Sequence, residues 1–375
     1  MVKKMYRYEP DYIVSPGEIL EETLETCGIR KNDLAVRCGL SEKTISLILS
    51  GKAPVMPETA IQFKRVLGIS ASIWNNTEAK YQLYKATHGD REQLATYEKW
   101  LKGFPVKELV ERDIIKRKSD TAEMVAQLLD FFRVGSVPAW CTKYANMQLS
   151  FRHSLSFQSK LESLAVWLRE GELKAEHIHC APFDKKKFYD ALGEIRRLTR
   201  ETLKTFAPRM IELCADAGVA VVFVKELPGT HLYGITRWLR PNKALIELSL
   251  RYKWEDHFWF TFYHESGHIL LHGKKNVFID DTEFTAYDEE EEQANKFAAN
   301  RLISKREYLS FVADEVFNQE SILAFAERLN IAPSIIVGRL QHDRKIPWAT
   351  PLNYLKRKFV FVRKERSENA SRYTT

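Results

Sequence analysis

The chain has 375 residues, of which 45% are hydrophobic and 29% are charged, and its formal net charge is +7 at pH 7. This length allows two or three domains, each with its own core, and the composition is that of an ordinary soluble protein. The apolar runs are far shorter than the roughly 18 residues of a membrane span, and no signal peptide is evident. The five cysteines are scattered, odd in number and without a CxxC pair, which indicates a reducing environment. We therefore expect a cytoplasmic protein that is neither exported nor inserted into a membrane.

The N-terminal residues 16–87 predict five short helices. The third, fourth and fifth are predicted over 42–49, 57–67 and 70–87. A tight turn at Gly39 separates the second helix from the third, and Ser41 is a favourable N-cap for the third. The spacing of Ala35, Gly39 and Ile45 is typical of a helix-turn-helix, in which the alanine packs closely, the glycine turns and the isoleucine anchors the second helix.

Two stretches, S-P-G-E-I-L-E-E-T-L at 15–24 and W-N-N-T-E-A-K-Y-Q-L-Y at 74–84, make residues 13–87 resemble the HigA-type antitoxins of the XRE class. The resemblance implies operator DNA as a partner and raises a toxin as a further one. A homodimer is also a candidate, because operators are two-fold, although the sequence shows no dimer surface. The exposed start of the third helix would read bases, and nearby cations would contact phosphates. The DNA-contact residues predicted in this way are Arg37, Ser41, Glu42, Lys43, Thr44 and Lys52.

The predicted recognition helix departs from that family's pattern. Glu42 and Leu47 stand where members carry Arg or Gln, and a carboxylate repels phosphate unless it accepts a hydrogen bond from a cytosine amine. Residues 1–90 hold twelve Lys or Arg against eleven Asp or Glu, so the basic surplus of a tight DNA binder is missing. The alternative is a helical module used for protein contacts or dimerisation.

The middle of the chain, residues 91–215, is predicted to be a helical linker or scaffold. A long amphipathic helix is predicted over 194–213, broken or kinked by Pro208. His177-Ile178-His179-Cys180 has no further ligands nearby in the sequence, so a loop or strand is predicted there rather than a second metal site. A scaffold, a substrate platform and a sensor are all open roles for this region.

Three short apolar runs then predict strands over 219–224, 233–239 and 244–250. The free edge of such a sheet can pair with an extended peptide. Four residues in or beside these strands are candidates for stabilising an oxyanion, and none of them is assigned. They are His231, Tyr233, Arg237 and Tyr252.

The stretch His264-Glu265-Ser266-Gly267-His268 matches the H-E-x-x-H signature of zinc-dependent peptidases. On a helix, positions i and i+4 share one face, so both imidazoles can reach a single ion. Glu265 lies about 100° further around the helix, where it can take a proton from a water on that ion without acting as a ligand. The apolar neighbours of the motif predict a core helix from Trp254 to Gly273. Chance occurrence on such a helix is the alternative, but an apolar helix has little reason to carry these polar side chains.

A catalytic zinc ion needs a third protein ligand and an open position for water. The acidic run 288–292 opens a second amphipathic helix, on which Glu291 and Asn295 share the face that should pack inward. Glu291 is the predicted third ligand, and Glu292 is the alternate if the helix phase differs. Asn295 would orient one of the metal-bound histidines.

The stretch F-Y-H-E-S-G-H-I-L-L-H-G, followed by E-E-Q-A-N-K-F-A-A-N-R-L-I-S, resembles the ImmA/IrrE metallopeptidases. That family pairs H-E-x-x-H with the glutamate of an E-x-x-A-N-x-F-A helix, and its known members cleave helix-turn-helix repressors. The resemblance implies Zn²⁺ on His264, His268 and Glu291, with Glu265 as the general base, in a zincin-like domain. It also implies a narrow protein substrate such as a repressor or antitoxin. Leu302-Ile303-Ser304 replaces the family's usual Leu-Met-Pro-like helix end, a change we expect to leave the metal chemistry intact.

The positive charge is concentrated at the C-terminal end, where residues 339–375 hold ten Lys or Arg against three Asp or Glu. The cations at 356–358 can contact DNA phosphates or an acidic protein, and the last residues can equally be a disordered solubilising end. Just before them, 324–340 is predicted to be a structural cap on the peptidase domain, with a further small helix-turn-helix as the alternative.

Together these features predict an α+β protein of four parts. They are an all-α helix-turn-helix domain at 1–90, a helical linker at 91–215, a metallopeptidase domain at 216–340 and a basic tail at 341–375. The predicted function is a DNA-binding regulator fused to a zinc endopeptidase. The alternative is a repressor and antitoxin that binds an operator and a toxin, with a structural or dormant metal site.

Overall fold

The computed structural model describes residues 13–150, 160–230, 232–249, 254–272 and 284–359, with the side chains of 145–150 and 284–288 left aside. The described chain is mostly helical with one three-stranded sheet, which confirms the α+β class. The chain folds into two compact units, one of residues 1–101 with 117–127 and one of residues 102–116 with 128–375.

The N-terminal unit begins with five helices, as predicted. They are α1 (Pro16–Cys27), α2 (Lys31–Cys38), α3 (Glu42–Leu49), α4 (Pro57–Leu67) and α5 (Ala71–Ala95). Helix α5 runs to residue 95 rather than to the predicted end at 87. The side chains of Leu20, Leu34, Phe63 and Trp74 are fully buried in the core that these helices enclose.

The turn between α2 and α3 follows the predicted local chemistry. Gly39 ends α2 in the left-handed conformation, at φ 67°, which glycine adopts without strain. The Ser41 hydroxyl then caps α3 by accepting a hydrogen bond from the Thr44 backbone N–H at 3.0 Å. Ala35 and Ile45 are both buried, so the two helices pack against the same core.

Seven helices follow before the sheet. They are α6 (Glu98–Gly103), α7 (Val106–Glu111), α8 (Thr121–Phe132), α9 (Val137–Ser150), α10 (Leu161–Glu176), α11 (Lys185–Arg197) and α12 (Leu203–Asp216). The prediction of a single helix over 194–213 was wrong: the break lies at 198–202, and Pro208 sits inside α12. The buried Thr199 hydroxyl bonds the Arg196 carbonyl and the Ala332 N–H, which holds the chain in this turn. Residues 177–180 form a loop, as predicted.

The sheet contains the three predicted strands, β1 (Val219–Phe223), β2 (Gly234–Arg240) and β3 (Lys243–Leu248). Their order is β1-β3-β2, with β1 parallel and β2 antiparallel to the central β3. Strand β2 is therefore an edge. Side chains alternate between the two faces of a strand, so Ala244, Ile246 and Leu248 of β3 enter the main core while Glu247 points to the opposite face.

The remaining helices are α13 (Glu255–Leu271), α14 (Phe284–Leu302), α15 (Lys305–Ala313), α16 (Gln319–Leu329) and α17 (Pro333–His342). Helix α13 carries the H-E-x-x-H motif and begins at the predicted position, whereas Gly273 lies outside the described residues. Helix α17 covers the start of α13, where the Ser334 hydroxyl donates to Glu255 at 2.6 Å. This agrees with the predicted role of 324–340 as a cap.

Residues 356–359, here called the C-terminal strap, cross the start of α13. Lys356 forms a buried ion pair with Asp256 at 2.6 Å, and Arg357 pairs with Glu255. Phe359 is buried in the same core as α13. This differs from the predicted basic tail: two acidic side chains buried at the start of α13 need partners, and the strap supplies them. Residues 360–375 lie outside the described part of the chain.

A helix that crosses a bilayer must be both long and apolar. None of the described helices alone has the length and hydropathy to do so, although the bent pair α16 and α17 passes that test when taken together.

Candidate metal centre

The H-E-x-x-H motif lies on a buried part of α13, between the sheet and α14. His264 and His268 are one turn apart on the same face, and their Nε2 atoms are 3.0 Å from each other. Glu265 points to another side of the helix and is only 7% exposed. The Thr236 hydroxyl on β2 donates to the Glu265 backbone carbonyl at 3.0 Å, which ties this turn of α13 to the edge strand.

Helix α14 brings a carboxylate to the two histidines. The Glu291 Oε2 atom is 3.3 Å from His264 Nε2, and its Oε1 atom is 3.3 Å from His268 Nε2. One ligand atom from each residue lies within 4.8 Å of the others, so the three could hold a single ion. Glu292, the alternate, is instead 65% exposed and pairs with Lys296 at 2.6 Å.

The spacing of these donors fits a zinc ion. Zinc binds His nitrogen and carboxylate oxygen at about 2.0–2.2 Å in a tetrahedron, which places neighbouring ligand atoms about 3.3–3.5 Å apart. The observed separations of 3.0, 3.3 and 3.3 Å are close to that value. Three protein donors also leave one tetrahedral position for water, as catalytic zinc sites require.

Two further side chains fix the histidine rings. The Asn295 Oδ1 atom is 2.9 Å from His264 Nδ1, as expected of a residue that orients this ring. If the amide oxygen accepts from Nδ1–H, the Nε2 lone pair faces the centre. His272 was missed by the sequence reasoning: its Nδ1 lies 2.9 Å from His268 Nδ1, and its Nε2 lies 3.4 Å from Gln293. Its position four residues after His268 is the signal that could have identified it.

The charged groups of the cluster shift one another's pKa values. Burial alone would raise the pKa of Glu291, but the hydrogen bonds and positive charge of His264 and His268 outweigh it and hold that pKa well below its usual range. Burial would lower the pKa of His264, and Glu291 and Glu265 reverse this so that it is raised. Burial raises the pKa of Glu265 against the opposing effect of the two histidines. A carboxylate with a raised pKa is suited to accept and return a proton.

Gly234, the first residue of β2, lies beside Glu265. A Cβ atom at this position would approach the Thr261 Cγ2 atom to 2.7 Å and the Glu265 Cγ atom to 3.1 Å. The missing side chain therefore lets the edge strand pass directly next to the candidate base. Sequence reasoning did not single out this glycine, because its role depends on a contact between a strand and a helix distant in sequence.

The structure describes two of the four residues predicted as candidates for stabilising an oxyanion. Arg237 lies on the face of β2 opposite Thr236, where it bonds Glu172 and the Leu168 carbonyl, so this candidate was wrong. Tyr233 precedes β2, and its backbone carbonyl accepts hydrogen bonds from Ser249. His231 and Tyr252 lie outside the described residues.

The structure places the six predicted DNA-contact residues around α3. Glu42, Lys43 and Lys52 are exposed. Ser41 and Thr44 are engaged with each other, since their hydroxyl oxygens are 2.8 Å apart. Arg37 pairs with Asp33 at 2.7 Å, which offsets the charge it could offer to a phosphate.

Two comparisons with known proteins bear on these regions. Residues 218–341, which include the sheet, α13 and α14, match the family model of the IrrE N-terminal-like domain, Peptidase_M78. A stretch of 71 residues is 32% identical to the uncharacterized HTH-type transcriptional regulator YddM of Escherichia coli (strain K12). The match covers 19% of this chain and 76% of that protein.

Proposed function

This chain belongs to the helix-turn-helix regulators that carry an ImmA/IrrE-type (peptidase M78) domain, and we propose that it is a zinc-dependent endopeptidase that cleaves a regulatory protein. The observation that carries the proposal is the triangle of His264, His268 and Glu291, with Glu265 buried beside it. Nitrogen and oxygen donors at this spacing suit zinc, and a carboxylate next to them suits peptide hydrolysis.

In peptide hydrolysis, each residue around the site would have its own role. Zinc, when bound, would act as a Lewis acid that makes water nucleophilic near neutral pH. Glu265 accepts a proton from the attacking water and returns it to the nitrogen of the departing amine. Asn295 and His272 keep the two histidine rings oriented.

The edge strand β2 supports a peptide substrate. A strand at the edge of a sheet carries backbone groups that an extended peptide can pair with. Gly234 brings that edge next to Glu265, so a paired peptide would pass the candidate base. Edge pairing would accept any extended segment, and the narrower choice of a repressor or antitoxin as substrate rests on the family resemblance.

The N-terminal helices would supply the second half of the function. Similarity to an HTH-type regulator supports DNA binding, with Lys43 in the first turn of α3 and Lys52 just after its end as exposed cations. We propose that these residues and Glu42 face DNA, with Ser41 and Thr44 mainly shaping the helix end. The module would either bring the peptidase to DNA-bound targets or regulate transcription directly.

The decisive experiment compares new protein N-termini in cells that express the wild type, Glu265→Gln or Glu292→Gln. Glu292→Gln is the matched control because it removes an exposed carboxylate from α14. Loss of a general base is expected to slow cleavage by about 10²- to 10⁴-fold, while Glu265→Gln keeps its zinc. Termini found with the wild type and the control, and absent with Glu265→Gln, would support the proposal and identify the substrate. Equal cleavage by a zinc-loaded Glu265→Gln protein, or a wild type that binds no zinc, would refute it.

A further inference from the structure

A polar cavity, separate from the candidate metal centre, lies on the opposite side of the sheet from α13. Its volume is about 700 Å³, within the range of small-molecule sites. It is lined by the end of β2, by residues of α10 and by the loop 178–180. Nothing in the proposed peptidase mechanism uses this cavity.

The alternation of side chains along β2 separates this cavity from the metal centre. Thr236 faces α13 and bonds the Glu265 carbonyl. Arg237, the next residue, faces α10 and bonds the Leu168 carbonyl at 2.7 Å. A ligand in the cavity would therefore contact the same strand as a substrate, but from the other face.

The cavity wall carries an excess of positive charge. Four cations and two carboxylates line it, which gives a formal balance of +2: Arg133, Arg237, Arg240 and Lys243 against Glu172 and Glu176. Each carboxylate is already engaged, since Glu172 pairs with Arg237 at 2.8 Å and Glu176 pairs with Arg133 at 3.0 Å. The excess positive charge of the wall favours an anionic ligand with about two negative charges.

One buried donor in the wall lacks a partner. Arg237 is only 6% exposed; its Nη1 atom donates to Glu172, and its Nη2 atom donates to the Leu168 carbonyl and to Glu247 at 3.4 Å. Its Nε atom has no hydrogen-bond partner within the described part of the chain. A buried N–H without a partner is costly, and a guanidinium is well shaped to bind a phosphate oxygen. The orphaned donor is therefore a second, independent indication of an anionic ligand.

The remaining wall mixes polar and apolar residues: Leu239 and Ile178 give it apolar surface, beside His179, Cys180 and Asn242. A bare inorganic anion would leave this surface and most of the volume unused. A ligand with an organic part would cover it.

We propose that this cavity binds a small phosphate monoester, with the phosphate between Arg237 and Arg240 and the organic part against Leu239 and Ile178. A phosphate monoester carries about two negative charges, which would balance the formal charge of +2 on the wall. Its oxygens are suited to guanidinium donors. Because the ligand would hold β2, whose other face bonds the turn of α13 that carries Glu265, the site gives the peptidase domain a means of sensing a small metabolite.

The test is calorimetric titration of the full-length protein with three probes: AMP, adenosine and citrate. Arg240→Glu reverses an exposed charge at the rim and leaves the buried Arg237 network in place. Arg306→Glu is the control, since it reverses an exposed arginine that is not part of the wall. We expect AMP to bind the wild type and the control equally, and Arg240→Glu at least about tenfold more weakly. Thermal unfolding of each variant confirms that it is folded.

The probes separate the alternatives. Binding of AMP without binding of adenosine assigns the interaction to the phosphate. Citrate that binds as tightly as AMP would overturn the phosphate assignment in favour of a carboxylate ligand. Absence of AMP binding at millimolar concentration, or equal weakening in Arg240→Glu and Arg306→Glu, would overturn the site itself.

Discussion

Gly267 of α13 lies so close to Ala294 of α14 that a Cβ atom on Gly267 would approach the Ala294 Cα atom to 3.2 Å. The Phe297 ring would be equally near. Glu291 precedes Ala294 by three residues, almost one helical turn, so this close approach sets the distance from Glu291 to the two histidines. The glycine inside the H-E-x-x-H motif thus controls the spacing of the three proposed metal ligands.

Gly267→Ala is expected to weaken zinc binding without unfolding the protein. The added methyl group must push α14 away by a few tenths of an ångström, and such overpacking costs about 1–3 kcal/mol. Competition against a chelator measures the affinity. Gly193→Ala in α11 is the matched control, because the atom nearest to its added Cβ is 3.6 Å away. An unchanged zinc affinity in Gly267→Ala would show that the helix spacing does not govern the site.

Asn295→Ala should lower zinc affinity by about 10- to 100-fold, as is typical when a group that orients a metal-bound histidine is removed. The side-chain amide oxygen Oδ1 of Asn295 is 2.9 Å from His264 Nδ1, and alanine removes this contact and leaves that ring free to rotate. Asn300→Ala, an exposed residue on the same helix, serves as the control. Equal affinities in both variants would contradict an orienting role for Asn295.

The buried Glu247 should make stability fall as the pH rises. Burial raises the pKa of this carboxyl from 4.5 to about 8, against the opposing charge of Arg237. The folded protein therefore holds a proton that the unfolded chain releases, and the stability this provides is lost between about pH 4.5 and pH 8. Glu247→Gln removes the titration, so its unfolding midpoint should fall less than that of the wild type between about pH 4 and about pH 8.5, each chosen about half a unit outside that window. Parallel pH profiles for the two proteins would contradict the prediction, and Glu292→Gln controls for general charge.

Lys356→Ala should destabilise the second unit by about 3–5 kcal/mol, the usual effect of removing one partner of a buried ion pair. Both side chains of the pair are nearly inaccessible, with 6% exposure for Lys356 and 7% for Asp256. Denaturant unfolding measures the change. Lys358→Ala is the control, because that exposed lysine lies over the Trp254 ring rather than in a buried pair. A loss below about 1 kcal/mol would mean that water reaches Asp256 and replaces the lysine.

Local sequence patterns predicted most of the elements and three of the four central residues of the site without ambiguity. The roles proposed for His264, Glu265 and His268 come from the H-E-x-x-H motif, and helical periodicity places the two histidines on one face because four residues span about one turn. The choice between Glu291 and Glu292 required the phase of α14, which the packing of that helix against α13 decides.

The features that sequence reasoning missed depend on contacts between distant residues. The break at 198–202 is held by a hydrogen bond from the Ala332 N–H to Thr199. The strap cations were predicted to contact DNA phosphates or an acidic protein, whereas the structure places Lys356 against Asp256, 100 residues away. Arg237 looked like an oxyanion donor because the pattern of a strand does not show which face meets the active site.

Because synthesis starts at the N-terminus, the two units can complete their folds at different times. The core of helices α1–α5 is built from residues between 19 and 74, so it can be complete while most of the chain is still to be made. The start of α13 reaches its final charge balance only after residues 356 and 357 have left the ribosome. A nascent chain arrested before that point should therefore resist limited proteolysis in its N-terminal helices and remain sensitive around α13. The metal centre would then form last, so a growing chain would hold no finished peptidase beside its own unfolded segments.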